Sequence, residues 1–344
     1  MASSYTAPGD AERLLALIDG FAGRTVAVVG DLMADEFIYG RVERVSREAP
    51  VLILRYDTSV TTPGGAGNAA NNVAALGARV RLAGLAGRDE PGRRLLASLH
   101  ARVARGGLIR PTSYATPVKT RILAGGVHSA KQQVVRIDRV SGSAVPAGVR
   151  RQFERAARAA ASRADAVLVS DYGSGLVLPA LVERLGADAR RPVLVDSRHA
   201  ATSFRGVTAC TPNESEVEQL LGVRIGDDRS VLERAGRSLL RRMRTAALLI
   251  TRGSRGMALF EPGRPTEHIP ISGSDEIADV TGAGDTVIAT MTLAIAAGAT
   301  FLDAARLANH AGGIVVMKRG TATVSAGELR EAVRRGAGRP GRRR

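Results

Sequence analysis

Short apolar runs and longer stretches of helical spacing alternate along the chain. Residues 25–29 form a β-branched apolar run that ends at Gly30-Asp31. Residues 68–76 have helical spacing closed by Gly77, 80–85 predict a strand and 92–103 a helix. Residues 166–170, 193–196 and 247–251 are further short apolar runs, each followed by polar or glycine-rich sequence. Helical patterns over 149–162, 214–221 and 230–243 lie between and after them. This alternation predicts an α/β fold, a doubly wound and mostly parallel sheet with helices on both faces. Ligands of such sheets bind at the carboxyl ends of the strands. Asp31, Asp171, Asp196 and Arg252 stand directly at those ends. Two pieces break the rhythm, 51–56 and 118–138, which read as strands without an intervening helix. Lys119, Arg121 and Arg136 alternate there with apolar neighbours, as in a half-exposed sheet. They predict a small separate β layer, either a cover over a site or a peripheral sheet with solvated basic residues.

Composition narrows the class. Of 344 residues, 44% are hydrophobic and 24% charged, which suits a globular protein with a sizeable core. Cys210 is the single cysteine, so no internal disulfide forms. That fits a reducing, cytoplasmic setting, and its short apolar run predicts a buried strand thiol. The five histidines show no metal-ligand spacing. No apolar run reaches membrane-spanning length and the N-terminus lacks the apolar core of a signal peptide. The net charge of +16 raises the question of nucleic acid. Most of it is Arg interleaved with Glu and Asp along helices, and aromatics at 3% offer no stacking platform. A basic surface suits polyanionic phosphates instead. The segment 331–344 is a basic tail expected to be disordered.

Two glycine-rich segments carry candidate chemistry. Asp279-Val280-Thr281-Gly282-Ala283-Gly284-Asp285 runs into an apolar stretch with helical spacing, Val287, Ile288, Met291 and Ile295. It predicts a loop opening a helix, with unobstructed N–H groups and a favourable dipole for a phosphate. A carboxylate beside a phosphate repels it unless the carboxylate has a task. Taking the proton of a hydroxyl that attacks the phosphate is the task that fits Asp285. The alternative is a glycine-rich cap with an acidic first-turn residue. The other segment is Pro63-Gly64-Gly65-Ala66-Gly67-Asn68-Ala69-Ala70-Asn71-Asn72. Its partial dinucleotide fingerprint does not directly follow a strand, because Thr61, Thr62 and Pro63 intervene. Without the first segment it reads equally as a glycine turn with a capping Asn. No Gly-x-x-x-x-Gly-Lys-[Ser/Thr] phosphate loop is present.

Together the two segments resemble the signatures of the ribokinase-like (PfkB) sugar kinases. The resemblance implies a ribokinase-like domain over 1–330, with lid segments at about 38–60 and 116–139 that often form a dimer interface. It implies ATP as co-substrate, with Asp285 as base and Gly282, Ala283 and Gly284 presenting N–H groups to the phosphoryl group. Gly64, Gly65 and Asn68 would hold sugar hydroxyls, and Asp31 and Asp35 would accept from others. Asp171 joins this substrate set and Asp196 the nucleotide set. Asn213-Glu214-Ser215-Glu216 resembles the family's N-x-x-E motif. There Asn213 and Glu216 would organise Mg²⁺ and nucleotide phosphates, largely through water. The same residues also read as an N-cap with first-turn acids. Thr251, Gly253 and Gly256 resemble the nucleotide-binding strand and turn, or a tight turn alone. Asn309 with Lys318-Arg319-Gly320-Thr321 resembles the segment flanking adenine and ribose, or a small-residue helix that packs closely. A monovalent cation such as K⁺ is compatible with the family.

Gly30-Asp31-Leu32-Met33-Ala34-Asp35, Glu48-Ala49-Pro50-Val51, Gln132–Asp138 and Ser170-Asp171-Tyr172 resemble the D-glycero-D-manno-heptose-7-phosphate kinases more narrowly. So does Lys318–Ser325. That resemblance implies phosphorylation of the anomeric hydroxyl, with Lys119, Arg121 and Arg136 on the substrate's existing phosphate. The chain is expected to be the stand-alone form. One departure is Ser174, where the family pattern has Lys; Arg198 is the substitute charge. Other sugars, sugar phosphates or nucleosides are the alternative substrates. A non-catalytic sugar- or nucleotide-binding protein is the alternative class.

Overall fold

The computed structural model describes residues 8–125, 131–140, 145–188, 190–273 and 278–337. Its strands are β1 (Thr25–Gly30), β2 (Leu32–Val45), β3 (Leu52–Gly65), β4 (Arg79–Leu85), β5 (Val103–Ile109), β6 (Val118–Gly125) and β7 (Gln132–Arg139). They continue as β8 (Ala166–Asp171), β9 (Val193–Ser197), β10 (Ala209–Cys210), β11 (Ala247–Thr251), β12 (Met257–Phe260) and β13 (Glu267–Ile269). The helices are α1 (Pro8–Asp19), α2 (Ala66–Ala75), α3 (Glu90–Ala97), α4 (Ala147–Ala161), α5 (Pro179–Leu185), α6 (Glu214–Leu221) and α7 (Arg229–Met243). Three more follow, α8 (Ala283–Ala296), α9 (Phe301–Val315) and α10 (Ala326–Ala337).

The large sheet runs β13-β12-β11-β10-β9-β8-β1-β4-β5. It is parallel from β5 to β11 and closes with the antiparallel pair β12 and β13. Period two explains the two cores. Val26 and Val28 of β1 belong to a core with Leu14, Val73, Met291 and Leu307 on one face. Ala27 and Val29 belong to a second core with Phe153, Leu181 and Leu239 on the other. Both faces of the strand are covered, so its sequence reads as an unbroken apolar run. Cys210 is fully buried in β10, which raises its thiol pKa through burial.

Two expectations are corrected. The helix predicted over 92–103 stops at Ala97, and Val103 begins β5. Asn71 of α2 ends it from outside, accepting from His100 N and donating to the Ser98 carbonyl. The basic segment from 331 is not disordered as far as Ala337. It continues α10, whose Leu329 and Val333 are fully buried. Residues 338–344 lie outside the described residues.

The second sheet has the order β3-β2-β6-β7. β2 and β3 form an antiparallel hairpin, and β6 adds to β2 in parallel. The sheet begins at Leu32 and its hairpin ends at Gly65, wider than the inserted segments expected. The inner ends of the hairpin are buried; one follows β1 and the other enters α2 directly. Its outer parts expose Val45, Tyr56, Val60, Val135 and Ile137.

Candidate active site

Gly282 opens α8 with φ 78°, a left-handed conformation that suits glycine. A Cβ there would lie 2.5 Å from Asn68 Nδ2. Gly284 is exposed, and a Cβ on it would meet nothing within 4 Å. The first turn of α8 therefore presents open backbone on one side. On the other, Asp285 is buried, 3% exposed. Asn68 Nδ2 donates to its Oδ2 at 2.8 Å and the Tyr172 hydroxyl to its Oδ1 at 3.0 Å. Burial pushes its pKa up to about 6, while the Asn68 and Tyr172 hydrogen bonds hold it down and Asp35 raises it. A carboxylate poised there is ionised at neutral pH yet basic enough to accept a proton.

The amide of Asn68 is not free for sugar hydroxyls, as the resemblance implies. It is committed to Asp285, and its Oδ1 accepts from Asn72 Nδ2 at 3.1 Å. Asn72 Oδ1 in turn accepts from Thr286 Oγ1 at 3.1 Å, tying α2 to α8. The sequence reading assigns no role to Asn72 or Thr286, although Asn72 lies within one of its motifs and Thr286 directly follows the other. Asp279 also supports the loop, accepting from Thr281 N at 2.9 Å and Gly320 N at 3.0 Å.

The acids expected to meet the sugar divide by their partners. Asp31 accepts from Tyr172 N at 2.7 Å and from Ser174 Oγ at 2.5 Å. Burial, opposed by those bonds, raises its pKa. Ser174 thus serves Asp31 where the family pattern has Lys. Asp171 accepts from Ser197 Oγ at 2.7 Å and Gly173 N at 3.0 Å, which shapes the turn after β8. Asp35 on β2 pairs with Arg121 on β6. A Cβ at Gly64 would fall 2.3 Å from Asp35 Oδ2, and one at Gly65 2.6 Å from the Asp31 carbonyl, so neither position has room for a side chain.

The three candidate cations of the small sheet are not equivalent. Lys119 is half-buried with Nζ 4.8 Å from the Tyr172 ring centroid; burial, then Arg198, lowers its pKa. Arg121 is buried against Asp35 and the Phe37 ring. Arg136 is exposed and bonds Asp138 through both Nε and Nη2. Arg198 lies over Tyr172 at 4.6 Å and is exposed.

Of the residues expected to meet the nucleotide, Asn213 and Glu216 form a reciprocal capping box at the start of α6. Asn213 Oδ1 accepts from Glu216 N, and Glu216 Oε2 accepts from Asn213 N, both at 2.9 Å. The N-cap reading is therefore realised in the structure. Glu214 is engaged by Arg252 at 2.7 Å and by Arg255, while Ser215 is exposed. Thr251 N donates to the Pro212 carbonyl, holding the end of β11 beside α6. Gly253 and Gly256 have φ 55° and 77°, and a Cβ on Gly256 would lie 2.1 Å from the Ile269 carbonyl. Asn309 Nδ2 donates to the Pro270 carbonyl at 2.8 Å, which pins the segment after β13 to α9.

Asp196 stands between the two halves. It is partly exposed, and burial, then Glu216 and Asp285, push its pKa well above the usual range. Among the described residues no group of three or more His, Cys, Asp or Glu side chains could by itself hold a metal ion.

A buried acid at a glycine-opened helix, facing the carboxyl ends of a parallel sheet, agrees with the comparison of the chain against protein families. The model for pfkB family carbohydrate kinases matches residues 24–326. The chain belongs to the PfkB family of carbohydrate kinases. It is an ATP-dependent sugar kinase, a phosphotransferase with an alcohol acceptor. The bifunctional protein HldE of Geobacter metallireducens is 44% identical over 310 residues, 88% of this chain and 61% of that protein. The HldE of Caulobacter vibrioides is 41% identical over 329 residues, 93% of this chain and 66% of that protein. The chain thus spans about three fifths of the length of the first of these curated relatives. Among solved structures, Arabidopsis thaliana ribokinase superposes with a TM-score of 0.69 at 20% identity, covering 92% of this chain and 99% of that one. Escherichia coli phosphofructokinase-2 with fructose-6-phosphate gives 0.69 at 17%, covering 91% and 98%. These share the ribokinase-like fold. No helix among the described residues is long and apolar enough to cross a membrane.

Proposed function

We propose that this PfkB-family kinase phosphorylates the anomeric hydroxyl of D-glycero-D-manno-heptose 7-phosphate, giving the 1,7-bisphosphate. The observation that carries the chemistry is Asp285, buried at the opening of α8 between Asn68 and Tyr172. The acceptor hydroxyl gives its proton to Asp285 as its oxygen forms a bond to the γ-phosphorus. The bond from that phosphorus to the β-γ bridging oxygen breaks, and ADP leaves. The N–H groups of Gly282 and Gly284 would face the charge that develops on the transferred group, while that of Ala283 is donated to the Val280 carbonyl at 3.2 Å. The substrate class is supported by the cations Lys119 and Arg198 beside the same cleft, and by the similarity to HldE proteins.

Mg²⁺ belongs to this proposal. Asp196 and Glu216 are hard oxygen donors; burial raises the pKa of both, and the charge of Glu216 raises that of Asp196 further, which a cation between them would offset. Two carboxylates suit Mg²⁺, which keeps most of its waters and binds chiefly through nucleotide phosphates. The metal would neutralise phosphate charge. K⁺ rests on the family resemblance alone. A homodimer through the four-stranded sheet is proposed from its exposed apolar residues, Val60, Val135 and Ile137 among them.

A panel of sugar phosphates and free sugars with ATP tests the reading. Turnover should be fastest with the heptose phosphate. Equal turnover of free ribose or free heptose would reject the heptose-phosphate assignment and leave a kinase for a neutral sugar.

A further inference from the structure

We infer that Tyr172 is a positioning residue for the base: its hydroxyl fixes one oxygen of Asp285 while its ring seats Lys119 and Arg198. The inference rests on Asp285 acting as the base. Tyr172 directly follows β8, and its backbone N–H donates to Asp31 Oδ2 at 2.7 Å, which anchors the residue. From there the hydroxyl reaches Asp285 Oδ1 at 3.0 Å. Asn68 holds the other oxygen at 2.8 Å. With both oxygens held by groups from different elements, the carboxylate cannot turn, and each oxygen keeps a lone pair for a substrate proton.

The ring has a separate task. Lys119 Nζ from β6 lies 4.8 Å from its centroid, and the Arg198 guanidinium from the end of β9 lies 4.6 Å from it. Two long, flexible cations are thus seated on one rigid ring, within the usual reach of a cation–π contact. One side chain sets the place of the base and the place of two positive charges that a sugar phosphate would meet.

The phenol is a constant donor. Burial, then Asp285 and Asp196, pushes its own ionisation well above 10, so it does not lose its proton near neutral pH. The charged groups facing Asp285 are Asp35 from β2 and Asp196 and Arg198 from the end of β9; the neutral donors are the Tyr172 phenol and Asn68 from α2. Of these, the hydroxyl of Tyr172 can be removed without altering a formal charge.

Tyr172→Phe keeps the ring and both cation contacts and removes only the hydroxyl. Its loss lets the Asp285 pKa rise, so the acid limb of the kcat/KM profile should move to higher pH. At pH 6 kcat should fall about tenfold, as for a lost hydrogen bond to a charged group. The loss should shrink as the pH rises, while KM for ATP and for the sugar phosphate holds. Tyr172→Leu should also raise KM for the sugar phosphate. Melting curves check that both variants fold. A Tyr172→Phe profile that is unmoved, or lowered by the same factor at every pH, overturns the inference. Asp285→Asn run alongside separates the two levels. If it retains kcat within about tenfold, the base assignment itself fails. If it is inactive while Tyr172→Phe matches the parent, only the role of Tyr172 is lost.

Discussion

Arg121 Nη1 lies 2.6 Å from Asp35 Oδ1, and both side chains are almost wholly removed from solvent. The pair crosses from β6 to β2 at the base of the small sheet. Arg121 is thus spent on holding Asp35 rather than free for a substrate phosphate. Arg121→Ala leaves Asp35 buried and unpaired, a loss of about 3 kcal/mol in stability. Urea unfolding should register that loss, and KM for the sugar should rise while KM for ATP holds. An Arg121→Ala protein as stable as the parent would show that the pair contributes nothing.

Asp285→Asn should lower kcat by about 10²–10⁴-fold, the range for a lost general base. Its effect on stability has the opposite sign. The folded pKa of about 6 exceeds the ordinary value of 3.8, so the folded state binds the proton more tightly than the unfolded one. Burying this ionised acid therefore costs stability above pH 6, and the cost fades as pH falls through 6 toward 3.8. Asn, which carries no charge, should raise stability at pH 8 by about 1–3 kcal/mol. Thermal melts at pH 8 and pH 4 check this; the gain should appear only at the higher pH.

Glu216→Gln preserves the capping box, because Gln can also accept from the N-cap N–H. The fold of α6 should persist. What is lost is a negative charge beside Asp196, so the Mg²⁺ concentration for half-maximal rate should rise and kcat should fall. An unchanged Mg²⁺ titration would remove Glu216 from the metal's surroundings.

Alanine substitutions at the two glycines that flank Ala283 should behave differently. At Gly282 the new methyl would strike Asn68 Nδ2 and adopt a strained φ, costing about 1–3 kcal/mol and displacing a partner of Asp285. At Gly284 nothing stands in the way, so melting should not change. Gly284→Ala should act on the ligand alone, lowering kcat or raising KM for ATP. Equal melting temperatures for the two variants would contradict this contrast.

Much of this arrangement is legible in the chain, for identifiable reasons. The parallel strands stand out because both faces of β1 and β8 are covered, leaving no polar residue in 26–29 or 166–169. Asp285 and the glycines before it are legible because their combination has few purposes. Arg121 and Asn68 fall in the cleft that the sequence reading expects, but with different partners. Their hydrogen bonds run to Asp35 and Asp285, across strand pairing and helix packing that spacing along the chain does not encode. Asn213 and Glu216 look alike on paper as metal-organising residues and as a capping box, since both uses demand the same spacing. The end of α3 escapes the pattern because Asn71, from another helix, decides it.

Asn68 and Asp285 stand 217 positions apart in the chain, yet one hydrogen bond joins them. Tyr172 arrives from a third region, 113 positions from Asp285. No peptide fragment can hold this acid in place by itself. The strands between β1 and β9 must find their order before α2 and α8 can meet, and such long-range closures are the slow steps of folding. Recovery of catalytic activity after dilution from denaturant should therefore lag behind the return of helical signal. Turnover becomes a reporter of complete assembly, silent until the most distant parts of the chain have docked.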